Sequence, residues 1–211
     1  MEHSYADLAW RTPLVVVCLL VNVVLSLTSS ALAIGFDEND PNLLVAAFLV
    51  PAALGGIATF LASIVAVCLW TYRANANAHA LAGDWVAPSL SPGSAVGSYF
   101  IPFVNLVRPY SAMREIDSAS TGAPSSDPML GVFWGTWVVG TILGNIGFRM
   151  DSPEADLGGA ALHFVSGIVL ALVVRRIHTA QRSRDAELRA KGAPSVATFR
   201  EAPSPAIDPS A

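Results

Sequence analysis

Charge is what this chain has least of. Of its 211 residues, 13% are Asp, Glu, Lys or Arg, about half the share of a soluble domain. With 53% hydrophobic residues and a mean hydropathy of +0.53, this excludes a disordered chain and an ordinary soluble domain. A basic excess is also lacking. The 12 basic and 16 acidic residues give a net charge of −4, so no nucleic-acid partner is expected. Cysteine is scarce: Cys18 and Cys68 both lie inside apolar runs, which excludes a disulfide framework and a metal-ligand spacing. The chain contains no G-x-S-x-G, H-E-x-x-H or phosphate-binding loop motif, and its Ser, Thr and His residues assemble no nucleophile–base–acid set. No enzyme and no cofactor are expected.

What the chain has is long apolar runs. A spanning helix needs about 20 apolar residues to cross about 30 Å of hydrocarbon. Four stretches qualify, at 13–34, 43–70, 129–148 and 157–174, and none contains Asp, Glu, Lys or Arg. A fifth run, 95–107, has 13 residues and is interrupted by Pro102. It is too short to span and reads as an interfacial or re-entrant piece. The expected fold is an all-α integral membrane protein. Its four-helix transmembrane bundle occupies residues 1–192, with an interfacial or re-entrant loop between helices 2 and 3. A Pro-, Ala- and Ser-rich tail at 193–211 is expected to be disordered.

Basic residues orient the spans. With four spans, eleven of the twelve Lys and Arg residues fall on one side and only Arg149 on the other. The poor side carries Asp37, Glu38, Asp40, Asp151, Glu154 and Asp156. A multi-pass protein of the cell membrane with both termini cytoplasmic is the expectation. If 95–107 spanned, Arg108, Arg114 and the basic tail would change sides and the bias would collapse. The first span also imitates a secretory signal, with Arg11 before it and Ala31-Leu32-Ala33 at its end. Its length of about 20 residues, against the 7–15 of a signal core, favours a retained helix.

Several polar residues lie within the spans. Cys18, Asn22, Ser26 and Ser29 form one helical stripe in span one. Thr59, Ser63, Ala66, Trp70, Arg73 and Asn77 form a seam that leaves span two. Small residues recur at four-residue spacing at Ala58/Ala62/Ala66, Gly131/Gly135, Gly140/Gly144 and Gly167/Ala171, a pattern that lets helix backbones approach in lipid. Asn22, Ser26 and His163 are the candidate intramembrane polar residues. For Asn22 and for Asn145 the expectation is interhelical hydrogen bonding. His163 is read as a neutral ring in one helix–helix hydrogen bond, with a proton relay as the alternative.

The loop between spans two and three holds the most distinctive residues. It begins Trp70-Thr71-Tyr72-Arg73-Ala74 and continues through Asn77-Ala78-His79-Ala80-Leu81. Beyond Ser91-Pro92-Gly93 it runs Phe100-Ile101-Pro102-Phe103-Val104-Asn105-Leu106, then Pro109-Tyr110, then Met113-Arg114-Glu115-Ile116. This segment resembles a bacterial membrane-protein family known as domain-of-unknown-function family 4328. The family's pattern has Trp where Ser94, Ser98 and Asp117 stand, and Gly where Ala82 stands. The resemblance implies a membrane location and brings no activity with it.

Read physically, the loop dips into the membrane. Tyr99, Phe100, Ile101, Phe103, Leu106 and Val107 give it an apolar face, and Trp85 and Tyr110 suit the interfacial belt. Arg73, Asn77, Asn105, Arg108, Arg114 and Glu115 form the candidate interface cluster, expected to connect at the cytoplasmic end. It reads as a packed lid or as a site for an anionic headgroup or a small anion. The lipid bilayer is the expected partner, and the helix faces leave room for a membrane-protein partner or a second copy. Two functions stay open: a non-catalytic binding, partner or scaffold protein, and a small oligomeric transporter or channel.

Overall fold

The computed structural model describes residues 5–34, 43–82, 87–125 and 127–191. The acidic loop at 35–42, Trp85 and the tail at 193–211 lie outside the described residues. The chain is all-α, and four of its helices are long and apolar enough to cross a membrane. They are α1 (Arg11–Ile34), α2 (Leu43–Leu81), α5 (Pro128–Met150) and α6 (Pro153–Ala190). Between α2 and α5 lie α3 (Pro92–Gly97), a 3₁₀ turn at Val104–Leu106 and α4 (Arg108–Thr121).

Local chemistry sets the helix ends. Asp127 accepts from the Met129 amide before Pro128, and Ser152 accepts from the Ala155 amide before Pro153. In both cases proline occupies the first helical position, where its missing N–H costs nothing. Capping by Ser152 starts α6 four residues earlier than the apolar run at 157. Gly122 ends α4 with φ of 67°, a left-handed turn that glycine adopts without strain. α2 continues through Pro51, which a membrane helix tolerates better than a soluble one.

The long helices are held edge to edge in the order α2, α1, α6, α5. α1 packs on both α2 and α6, and α5 packs on α6, while α2 and α5 make no substantial contact. Small residues make the α5–α6 contact possible. A Cβ on Gly159 would lie 2.7 Å from the Gly144 nitrogen and 2.9 Å from the Gly140 oxygen. One on Gly147 would lie 2.6 Å from the Asp156 nitrogen. Gly167 instead receives Val23 of α1, whose Cγ1 would meet an added Cβ at 2.6 Å. Two of the expected small-residue stripes do not pack in this way. Gly131 and Gly135 face open space, and Ala58 and Ala62 are exposed, so that only Ala66 of that stripe is buried.

The end of the molecule that holds Arg11, Arg73, Arg114 and Arg176, called here the basic end, contains the core. Leu8, Val15, Trp70, Ala74, Met113, Ile116, Leu130, Val173 and Ile177 are buried there together. The span-two seam works as expected at this level: Trp70 is buried and its indole N–H donates to Thr12 Oγ of α1 at 3.2 Å.

Candidate functional site

Because α2 and α5 stand apart, a cleft of about 650 Å³ opens between them. Its back wall is α1 and α6, through residues such as Asn22, Ser26, His163 and Ser166. Ile57, Phe60 and Ile64 of α2 form one side, and Phe133, Trp134 and Trp137 of α5 the other. Tyr99, Phe100 and Asn105 of the connecting segment also line it. The cleft is largely apolar with a sparse polar stripe, the make-up of a small-molecule pocket.

The 95–107 segment does not span. After α3 it turns through Phe103, which takes a left-handed φ of 64°, and Trp134 donates its indole N–H to the Leu106 carbonyl at 3.1 Å. That bond ties the segment to the cleft side of α5, where Trp134 and Trp137 stack with centroids 5.0 Å apart. Phe100, Ile101, Phe103, Leu106 and Val107 are all exposed, the apolar face expected of a membrane-dipping element.

The candidate intramembrane residues all line this cleft. Asn22 Oδ1 lies 3.4 Å from Thr59 Oγ of α2, whose hydroxyl has shorter contacts with the Gly55 and Gly56 carbonyls of its own helix at 2.8 and 3.1 Å. His163 Nε2 lies 3.2 Å from Thr141 Oγ of α5, and Ser26 lines both the cleft and a second cavity. Asn145 is different: its amide donates to the Thr141 carbonyl of its own helix at 2.7 Å, so this bond joins no second helix.

The candidate interface cluster is divided. Asn77 accepts from the Ala6 amide at 3.0 Å and donates to the Ala6 carbonyl and to Gln181 Oε1 at 2.8 and 2.9 Å. Glu115 accepts from the Ser89 amide and hydroxyl at 2.8–2.9 Å. Arg114 donates to the Ser125 carbonyl at 3.3 Å and stands over the Tyr110 ring. None of these bonds joins two members of the cluster. Asn105 lines the cleft instead, Arg108 opens α4 on an exposed position, and Arg73 is half-buried on α2. Asn77 is engaged by Ala6 and by Gln181 of α6, while Glu115 is engaged by Ser89.

Two networks at the basic end involve residues that sequence reasoning passed over. Gln181 is 0% exposed. It donates to the Ala74 carbonyl at 2.9 Å and Ser120 Oγ at 3.1 Å while accepting from Asn77. It therefore joins α2, α4 and α6, and Asn77 carries the network on to Ala6 in the segment before α1. Arg176 pairs with Asp117 at 2.6 Å and also with Asp127. Ser125 Oγ donates to the second Asp117 oxygen at 2.6 Å, so α4, α5 and α6 are tied together. A signal for Gln181 did exist. It continues the buried stripe Leu170, Val173, Val174, Ile177 at helical spacing, so it had to be a buried polar group in need of partners.

An all-α chain with four membrane-length apolar helices, a polar-bonded end and an intramembrane cleft defines a helical membrane protein. The family model described as "Domain of unknown function (DUF4328)" matches residues 43–180. The chain belongs to that family. No curated protein and no solved structure matches it.

Proposed function

We propose that this is a non-catalytic, multi-pass binding protein of the cell membrane, with both termini cytoplasmic, whose cleft takes a small amphipathic molecule from the bilayer. The observation that carries the reading is the cleft itself: about 650 Å³, within the range of about 300–1,000 Å³ typical of ligand pockets. Its mouth lies between two lipid-facing helices, so a guest already dissolved in the bilayer would enter sideways. The walls offer aromatic and aliphatic surface, with Asn22, Ser26 and His163 as the few polar contacts.

A photoreactive long-chain alcohol in lipid nanodiscs tests this. Cross-links should concentrate on Phe60 and Trp137 over Phe148, which is 89% exposed on the outer surface of α5. Labelling of Phe148 without labelling of the cleft would refute the reading. The orientation is tested with single cysteines at Ser152 and Ser195 after Cys18 and Cys68 are replaced. The first should label from outside intact cells and the second should not.

A second reading is transport. A smaller cavity of about 230 Å³ shares Ser26, Ser30 and His163 with the cleft and reaches Asp156 at the acidic end. The two together form a polar-edged path along α1. Solute flux in liposomes that is lost in Asn22→Leu would favour transport over binding alone.

A further inference from the structure

The second cavity carries information about the guest. It is lined by Ser30, Thr141, Asn145, Asp156 and His163, among others, and it adjoins the cleft through Ser26, Ser30 and His163. Among the described residues Asp156 is the one Asp, Glu, Lys or Arg side chain lining either cavity. Ser30 Oγ donates to Asp156 Oδ2 at 2.6 Å, which fixes the carboxylate beside the cavity. Among the described residues Asp156 enters no ion pair, although seven such pairs occur elsewhere in the molecule. Its place in the first turn of α6 suits the helix dipole. That accounts for a carboxylate at this position, and Glu154 shares it, but it does not account for a carboxylate lining a cavity.

We propose that the guest carries a positively charged head, an ammonium group, seated against Asp156 and the Asn145 carbonyl, with its apolar tail along the aromatic wall of the cleft. The inference rests on the cleft being a binding site. An anionic head would meet no Lys or Arg among the described residues of either cavity and would face the Asp156 charge. An ammonium head, with or without N–H groups, would gain an electrostatic contact with the half-buried Asp156 carboxylate. The span fits as well. Trp137 lies eight residues along α5 from Asn145, about 12 Å at the helical rise, a length that a dodecyl chain covers.

The test uses the full chain in phosphatidylcholine nanodiscs and three probes: 12-bromododecyl trimethylammonium, 12-bromododecanol and 12-bromododecanoate. Bromine quenches the fluorescence of Trp134 and Trp137, and affinities are referred to each probe's partition into empty nanodiscs. The ammonium probe should bind about tenfold tighter than the alcohol, and the carboxylate more weakly than both. Asp156→Asn should abolish the ammonium preference and leave alcohol binding intact. Equal binding of ammonium and alcohol would overturn the inference while the cleft reading stands. A preference that survives Asp156→Asn would overturn it too. Absence of quenching by all three would overturn both. The comparison of probes on the unsubstituted chain decides the matter even if the variant fails to fold.

Discussion

At its basic end this molecule is filled, and in its membrane half it is open. The same helices serve both regions. At the basic end α4 and the segment before α1 fill the space between α2 and α6, and buried polar groups there bond to several elements at once, as Gln181 does. Farther along, among the described residues, only the connecting segment at 99–105 reaches the space between α2 and α5, and a cleft remains. The difference follows from the solvent. Beside water, burial of apolar surface draws extra elements onto the helices. Within lipid that drive is absent, and helices meet only where small residues allow backbone contact, as at Gly140, Gly144 and Gly159.

This contrast ranks the effects of substitution. The largest stability loss is expected for Arg176→Ala, which strands Asp117 and Asp127, whose side chains are 4% and 10% exposed. Breaking a buried ion pair costs about 3–5 kcal/mol, and the partial exposure of Arg176 places the loss near about 3. Denaturant unfolding in detergent measures it. Gln181→Ala should follow at about 2–3 kcal/mol, because Asn77, Ser120 and the Ala74 carbonyl lose a shared partner.

Gly159→Ala tests the helix contact in lipid. Its Cβ would crowd the Gly144 and Gly140 backbone, which no rotamer change relieves, and overpacking of this kind costs about 1–3 kcal/mol. Phe60→Ala in the cleft wall should change stability by less than about 0.5 kcal/mol, since Phe60 is exposed. A larger loss would mean that α2 and α5 are in fact packed together. The smallest effect concerns Asp7, whose pKa is held below the ordinary carboxylate value by its hydrogen bond to His178 and the charges of His178 and Arg182. A lowered carboxylate pKa stabilises the fold above the unfolded value of about 3.9 and is lost as pH falls through the folded value. Hence the small advantage of the wild type over Asp7→Asn should fade below about pH 4 in thermal melts.

The helices were legible because charge is missing from them: the runs at 13–34 and 129–148 lie within two residues of α1 and α5. The span-two seam was legible too, since Trp70 and Asn77 follow Thr59 at helical steps. Helix partnership was not. A Gly-x-x-x-Gly spacing marks a surface fit for contact, yet Gly131 and Gly135 face open space while Gly140 meets His163 and Gly159 of α6 and the Gly144 backbone lies against Gly159. Spacing describes one helix and pairing needs two. Arg114 and Glu115 were expected to join Asn77 because a loop shaped by Pro102 and Pro109 would bring them back to span two, whereas Gln181, 104 residues away, is its partner. The cleft depends on which helices fail to meet, and no periodicity within a single helix encodes that.

The difference between the two regions is tested most directly by oxygen accessibility along α2 in lipid nanodiscs. Single nitroxide labels would be placed at Gly56, Phe60, Val67 and Ala74 in a chain lacking Cys18 and Cys68. Labels at Gly56, Phe60 and Val67, which line the cleft, should relax rapidly with dissolved oxygen, as sites open to the bilayer do. The label at Ala74, buried at the basic end, should be shielded. If the three cleft positions were as shielded as Ala74, α2 and α5 would be closed on each other and the account of an open binding cleft would be wrong.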